Sequence, residues 1–459
     1  RRTNRKNLTL EQITAACKGS FHGDCALLPK EAAGVVIDSR KVEKDYIFVA
    51  INGERFNAHR FIPDTFEKGA LCAVSHEDLG ETPYPYILVE DTSQALLDIA
   101  KLYRDSFDIK VVGITGSVGK TSTKEMVASV LAQKYRVHKT QGNFNNECGL
   151  PLTIFELQEG DEVSVLEMGI NHFGEMRKLS GTASPDICVI TNIGVAHLEF
   201  LKTQEGIMQE KTEMFKDMKP GGSIILNGDD PLLSTIPEVE GTTPVFYGFH
   251  NEANQVYATD IQPLGLKGTA CTIHLPGGSF ACTVPTPGIH MVSNALAGTA
   301  VGHALGLTAD EIRQGIESLP FIPGRNNIVQ TGHMILLDDC YNANPVSMKA
   351  AIDVLQMAVG RKIAILGDMG ELGENWRELH RTVGTHAAST GIDLVCAIGE
   401  MSKEIADAAI AGGIRAEWFA TKQDFLAQAG TLLQDGDNVL IKASHGMEFP
   451  ELVEALKNL

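Results

Sequence analysis

The residues best suited to chemistry stand at 113–122, where Gly113-Ile114-Thr115-Gly116-Ser117-Val118-Gly119-Lys120-Thr121-Ser122 closes an apolar, β-branched run that begins at Lys110. Read as strand, glycine-rich turn and helix start, this segment can wrap backbone N–H groups around a phosphate and add the partial positive charge of a helix N-terminus. Lys120 supplies a full charge, and Thr121 can offer its hydroxyl to Mg²⁺. An ordinary tight turn between strand and helix does not need Lys-Thr directly after its glycine, so the stretch reads as a P-loop for a nucleoside triphosphate. It is a variant. The strict pattern has a glycine five positions before Gly119, where Ile114 stands, and the glycines fall at 113, 116 and 119 instead.

Other groups are weaker when taken singly. Glu167 ends the apolar run Val163-Ser164-Val165-Leu166, the placement from which a P-loop fold holds Mg²⁺, although carboxylates at strand ends are common. Gly142-Asn143-Phe144-Asn145-Asn146-Glu147-Cys148-Gly149 is too rich in amides for a core element and is a candidate substrate loop. The buried-strand pattern from Asp186 to Asn192 leads to His197; a lone histidine is more often structural than a ligand. Lys211, between Glu210 and Glu213, has the pattern of a solvated helix face. Ser39 and Arg40 follow a strand and can bind a diphosphate, but spacing alone favours a surface turn closed by a salt bridge.

The elements needed to position these groups suggest an α/β protein of three domains. Residues 1–108 read as a small α/β domain, with strands near 35–37 and 46–51 and a turn at Asn52-Gly53. Residues 109–322 read as a P-loop domain with a mostly parallel sheet, including a turn-rich β stretch at 244–284 and a helix entered through Pro287-Gly288. The proline- and glycine-rich segment Leu319-Pro320-Phe321-Ile322-Pro323-Gly324-Arg325 marks the next boundary. Residues 323–459 alternate strands at 334–337, 362–366, 394–398 and 438–441 with helical patterns. That is the order of a doubly wound, Rossmann-like sheet, whose ligands bind beyond the strand carboxyl ends. The glycines at 367, 370 and 373 do not make a GxGxxG dinucleotide motif.

The bulk composition limits the class. At 459 residues the chain has room for about three domains, and 43% hydrophobic with 21% charged residues is the balance of a globular protein. A net charge of −19 argues against a nucleic-acid or membrane-surface role, because phosphates would be repelled outside local basic pockets. No apolar run reaches membrane-spanning length, and the basic start at Arg1, Arg2, Arg5 and Lys6 lacks the apolar region of a secretory signal. Nine scattered cysteines without a CxxC pair favour reduced thiols in a cytoplasmic enzyme.

Six motifs in order together resemble the Mur ligases over essentially the whole chain: Asp38-Ser39-Arg40, Gly116 to Thr121, Gly142-Asn143-Phe144-Asn145-Asn146-Glu147, Ala196-His197-Leu198-Glu199, Tyr341-Asn342-Ala343-Asn344-Pro345 and Gly367-Asp368-Met369-Gly370-Glu371-Leu372-Gly373. Within the family the likeness is to the branch that joins D-Ala-D-Ala to UDP-MurNAc-tripeptide with cleavage of ATP to ADP and phosphate. The Asp-Asn-Pro-Arg signature of the branch that adds the third amino acid is absent.

The resemblance implies a bacterial cytoplasmic enzyme of cell-wall precursor synthesis, expected to be a monomer. Its substrates are ATP, UDP-MurNAc-tripeptide and D-Ala-D-Ala. Ser39 and Arg40 would line the uridine-diphosphate pocket, and Asn143, Asn145 and Asn146 would face the sugar-peptide. Residues 115–122, Arg325 and Asp339 would serve the nucleotide, with Lys120 also catalytic. Thr121, Glu167, His197 and Lys211 would hold two Mg²⁺, with Lys211 carbamylated; His197 and Lys211 would count with Lys120 among the catalytic groups. His290 and Asn294 fall in the adenine motif, and Tyr341, Asn342 and Asn344 in a loop closing over the nucleotide. Asp368, Met369, Glu371, Lys442, Ser444 and His445 would frame the dipeptide. Two positions depart from the family pattern: Met291 stands where an asparagine usually follows the motif histidine, and His445 where an arginine commonly follows the serine.

The rival readings have specific discriminators. A small-molecule kinase would use the same P-loop but leave the phosphate on its product. A nucleotide switch would need no metabolite; Thr421-Lys422-Gln423-Asp424 mimics a guanine-reading motif but opens a helix far from the P-loop. Folylpolyglutamate synthase, a near relative, is disfavoured by the N-terminal domain bearing Asp38-Ser39-Arg40.

Overall fold

Strand Lys110–Thr115 lies in the middle of a parallel sheet, flanked on one side by Val163–Glu167 and Val137–Lys139 and on the other by Ile187–Ile190, Ser223–Asn227 and Val245–Gly248. The computed structural model describes residues 5–53, 57–194, 201–320, 327–370 and 372–459. The central strand is buried except at Lys110, and both immediate neighbours are buried throughout, as continuous apolar strands covered on two faces should be. Register pairs Glu167 with Ile114 and Ile190 with Thr115. Three strand carboxyl ends therefore come level beside the P-loop, where parallel sheets place their ligands.

A five-stranded sheet precedes it, in the order Ser20–His22, Tyr86–Leu88, Cys72–Ser75, Tyr46–Val49 and Gly34–Val36, all parallel except the first strand. Helix Thr92–Asp105 connects the two sheets in sequence. Asp91 caps it by accepting from Ser93 N–H, and Ala95, Leu96, Ile99, Ala100 and Tyr103 recur at helical spacing on its buried side. This face shares one apolar cluster with Ile13 and Ile87 of the preceding region and with Leu150, Ile154 and Leu179 of the following one. Each buried leucine or isoleucine of this cluster contributes roughly 1.5–3 kcal/mol. Polar bonds reinforce the contact. Tyr103 Oη donates to Leu157 O (2.8 Å), and Arg104 donates to Ala183 O (2.8 Å) and Ser184 O (3.3 Å). Those carbonyls close helix Glu175–Ala183, so the guanidinium also meets the negative end of a helix dipole.

Farther along, six strands form another sheet in the order Asn327–Gln330, Ile335–Asp338, Asn438–Lys442, Lys362–Gly367, Leu394–Ile398 and Arg415–Phe419, parallel except for the first pair. Helices Pro345–Gln356, Trp376–Ser389, Lys403–Ala411, Lys422–Leu432 and Pro450–Lys457 alternate with them. This is the α/β, mostly parallel architecture expected from the sequence. Missing from that expectation are the edge strands Asn327–Gln330 and Arg415–Phe419 and the early strands Ser20–His22, Cys72–Ser75 and Tyr86–Leu88, all five residues or shorter. By contact density the chain divides into two units: Arg1–Ala258 with Ile273–Phe280 and Ser293–Ile316, and Thr259–Thr272 with Ala281–Val292 and Glu317–Leu459. No helix among the described residues is long and apolar enough to cross a membrane.

Arg104→Ala should lower the unfolding free energy by about 2–4 kcal/mol, since it strands two carbonyls and opens a cavity. Urea denaturation of both proteins checks this; an unchanged midpoint would contradict the role given to Arg104.

Candidate active site

The loop after the central strand is shaped by close approach. A Cβ at Gly116 would collide with Thr191 Oγ1. Gly119 is left-handed (φ 79°) and starts helix Lys120–Leu131 without any side-chain cap, so its own sequence leaves that positive helix end for another acceptor. Thr115 Oγ1 is buried with no hydrogen-bond partner among the described residues. Lys120 Nζ folds back onto Gly116 O (3.0 Å). Ile114, the position where the strict motif has glycine, is a fully buried strand residue.

Glu167 gathers the polar groups around this loop. Its carboxylate, on a residue only 2% exposed, accepts from Thr121 Oγ1 (3.1 Å) and Asn145 Nδ2 (2.9 Å), while its N–H donates to Thr140 Oγ1 (2.9 Å). Thr140 and the buried Lys124, whose Nζ donates to Thr140 O (2.7 Å), form a support that no sequence motif marked. Lys211 corrects its solvated-face reading, because it is 2% exposed on helix Gln204–Thr212. Burial, and then the charge of Lys120, bring its amine down from 10.5 to about 7, against the opposing pull of Glu210. Asn294 Oδ1 accepts from Thr123 Oγ1 (3.0 Å) on the P-loop helix.

Beside this cluster is a cavity of about 840 Å³ walled by Val35, Asp38, Lys41 and Glu43 on one side and by Arg136, Lys139, Gln141, Phe144 and Asp161 on the other. Ser39 and Arg40 are not on its wall. The Arg40 guanidinium grips Asp38 through Nε (3.0 Å) and Nη2 (2.9 Å), which holds that carboxyl down at about 2. The salt-bridged turn favoured by spacing is therefore what forms, while Asp38 and Lys41 face the cavity. In the amide loop, Asn145 reaches Glu167 and Asn143 is exposed. Asn146 Oδ1 accepts from Cys148 N–H and Gly149 N–H at the start of the next helix.

The remaining expected positions divide between exposed and structural ones. His290 is exposed, with its ring over Gly288, and Met291 is buried. Tyr341 is 39% exposed, and its ring lies 6.1 Å from that of the exposed His445. Asn342 bonds Ala343 N–H through its own side chain, and Asn344 caps helix Pro345–Gln356. Lys442, expected at the dipeptide, is buried, its ammonium bonded to Asp339 Oδ2 (2.8 Å) and Asn342 O (2.8 Å), so it organises the 339–342 loop. Met369 has its side chain in the core and its N–H on His380 Nε2. The Asp368 carboxylate accepts from Ser402 N–H and Oγ–H, and Ser444 Oγ donates to Asp368 O. His197, Arg325 and Glu371 lie outside the described residues. Thr421 caps helix Lys422–Leu432 through Asp424 N–H, as a chance mimic of a guanine motif would.

One group within metal-ligand reach was not marked by the sequence: His59, His76 and Glu77. His59 Nδ1 lies 3.1 Å from Asn52 Oδ1 and its Nε2 accepts from His76 N–H. With both nitrogens engaged, the ring has no lone pair for a metal and acts as a buried strut.

The Lys211 amine predicts a stability signature. Between about pH 7 and 10.5 the unfolded chain holds a proton there that the folded chain lacks, so folding stability rises with pH across that window. In carbonate-free buffer, denaturation of wild type should gain stability relative to Lys211→Met from pH 7 to 9. Parallel pH profiles would refute the depressed amine.

Comparison with known proteins agrees with this geometry. The family model for the Mur ligase middle domain matches residues 114–302, and that for the Mur ligase glutamate ligase domain matches residues 324–445. A Bacillus subtilis (strain 168) protein named UDP-N-acetylmuramoyl-tripeptide--D-alanyl-D-alanine ligase is 37% identical over 92% of this chain and 93% of its own length. Crystal structure II of MurF from Acinetobacter baumannii superposes with a TM-score of 0.91 at 31% identity, over 99% of this chain and 100% of that one. MurF ligase from Thermotoga maritima in complex with ADP gives a TM-score of 0.80 at 30% identity, over 93% and 97%. With its P-loop, its buried Glu167 and two family models covering more than half its length, the chain belongs to the Mur ligase family.

Proposed function

We propose that the protein is an ATP-dependent amide ligase that joins D-Ala-D-Ala to UDP-MurNAc-tripeptide, giving UDP-MurNAc-pentapeptide, ADP and phosphate. The observation that carries the reading is the 840 Å³ cavity whose wall includes Phe144, one residue from Asn145, which is bonded to the Glu167–Thr121 pair at the P-loop. A long, anionic substrate in that cavity would end beside the nucleotide's phosphates. The relatives' shared name supplies the chemical identity of that substrate and of the amine.

The residues fit ATP and Mg²⁺. An uncapped helix start, the left-handed Gly119 and the orphaned Thr115 hydroxyl form a phosphate cradle. Thr121 and Glu167 offer hard oxygen donors 3.1 Å apart, of the kind Mg²⁺ takes. When bound, Mg²⁺ would neutralise charge on the transferring phosphoryl group. Lys120 would do the same from the loop side, and Asn145 holds the Glu167 carboxylate through its Nδ2.

In the chemical sequence, a substrate carboxylate oxygen attacks the γ-phosphorus, the bond to ADP breaks, and an acyl phosphate forms. The dipeptide amine then adds to the acyl carbon, loses a proton, and phosphate leaves as the amide closes. Lys211 fits carbamylation: a neutral amine near pH 7 adds to CO2 with loss of one proton, giving a carboxylate-like anion beside Lys120. That anion would serve as a further metal ligand.

Incubation with ATP, D-Ala-D-Ala and UDP-MurNAc-tripeptide ending in L-lysine or meso-diaminopimelate should give a pentapeptide mass with one of the two, dependent on all three substrates. Lys120→Ala should stay folded and lose at least about 100-fold in kcat. Phosphorylated tripeptide as the sole end product, or a fully active Lys120→Ala, would overturn the assignment.

A further inference from the structure

We propose that Asn192 is a positioning residue for the nucleotide, its carboxamide holding the apex of the P-loop in shape before ATP arrives. The proposal rests on the nucleotide half of the reading above and on no other part of it. Asn192 follows strand Ile187–Ile190 and sits 74 residues along the chain from Val118. Its Oδ1 accepts from Ser117 N–H (3.0 Å) and Val118 N–H (2.9 Å), and its Nδ2 donates to Val118 O (2.9 Å). One planar group thus satisfies three backbone groups of a loop whose Val118 side chain is 61% exposed.

Neighbouring residues make the contact a stitched seam. Thr191 Oγ1 donates to Val118 O (2.9 Å), and Gly194 N–H donates to Ser117 Oγ (2.8 Å). The segment is anchored from behind, because Asn227 Nδ2 donates to Thr191 O (3.0 Å) and Ile193 N–H to Asp230 Oδ2 (2.8 Å). Gly116 is small because Thr191 passes against it. This accounts for the displaced glycine: Ile114 stays in the strand core, and the position that must lack a side chain is the one beneath the clamp.

The consequence concerns which N–H groups meet phosphate. Those of Ser117 and Val118 are committed to Asn192, which leaves the helix start from Gly119 onward, with Lys120, to form the cradle. Holding the apex removes the entropy cost of ordering the loop at the moment of binding, so its benefit falls on nucleotide affinity and not on the UDP-sugar or the amine.

The test uses full-length protein with ADP as probe. Asn192→Ala removes the clamp, and Asn192→Asp keeps the acceptor but sets an oxygen against Val118 O. Both should weaken ADP binding about tenfold or more and raise the KM for ATP, with the KM for the UDP-sugar peptide changed less than about twofold. Ser117 N–H also reaches Asn192 O (3.2 Å), a bond the alanine keeps, so the readout is Val118: its amide exchange should be slow in nucleotide-free wild type and fast in Asn192→Ala. Unchanged ADP affinity in both variants, a parallel loss for every substrate, or fast exchange of the Val118 amide in the wild type would overturn the proposal. Wild type that binds no ADP would instead refute the nucleotide reading, while the exchange measurement still decides the clamp.

Discussion

The parallel register of strands Lys110–Thr115, Val163–Glu167 and Ile187–Ile190 is the constraint on which the site depends. Aligning Glu167 with Ile114 and Ile190 with Thr115 brings a carboxylate, the start of the glycine loop and the Thr191–Asn192 pair to one level. A slip of one residue would turn every side chain of a strand to the opposite face and separate these groups. Burial on both faces makes such a slip costly, so the core of the sheet fixes the geometry of its chemistry.

Charge at that level is arranged at close quarters. Lys120 and Lys211 are near enough that one depresses the other, and Lys211 is deep enough that desolvation does most of the work. A close pair of full positive charges is thereby avoided, while Lys120 keeps its backbone partner Gly116. The cavity wall has the opposite character. Its charges are largely internally balanced, with Arg5 on Glu156 and Arg136 on Asp161, so its volume is held by ion pairs and by the apolar cluster that spans helix Thr92–Asp105.

The parts legible in the sequence were those with local signatures. The P-loop, the buried strand ending in Glu167 and the alternating strands and helices after residue 327 follow from periodicity and glycine placement. What was not legible was set by tertiary contact. Lys442 at a strand carboxyl end and Met369 in a ligand-type loop have the right positions for a substrate site, yet their side chains turn inward, one to an ion pair and one to the core. Arg40 sits in a motif whose charge the turn itself consumes, and Lys211 lies among polar residues in sequence yet is buried in the fold. Asn192 had no signal, because its partners lie more than seventy residues away.

In the proposed reaction a substrate carboxylate is activated as an acyl phosphate beside Lys120 and Glu167. Labelling the terminal carboxylate of the tripeptide with heavy oxygen tests this directly, because one carboxylate oxygen must depart with the phosphate when the amine displaces it. The acyl-phosphate route puts one labelled oxygen into inorganic phosphate for each amide bond formed. Unlabelled phosphate accompanying authentic amide product would contradict it.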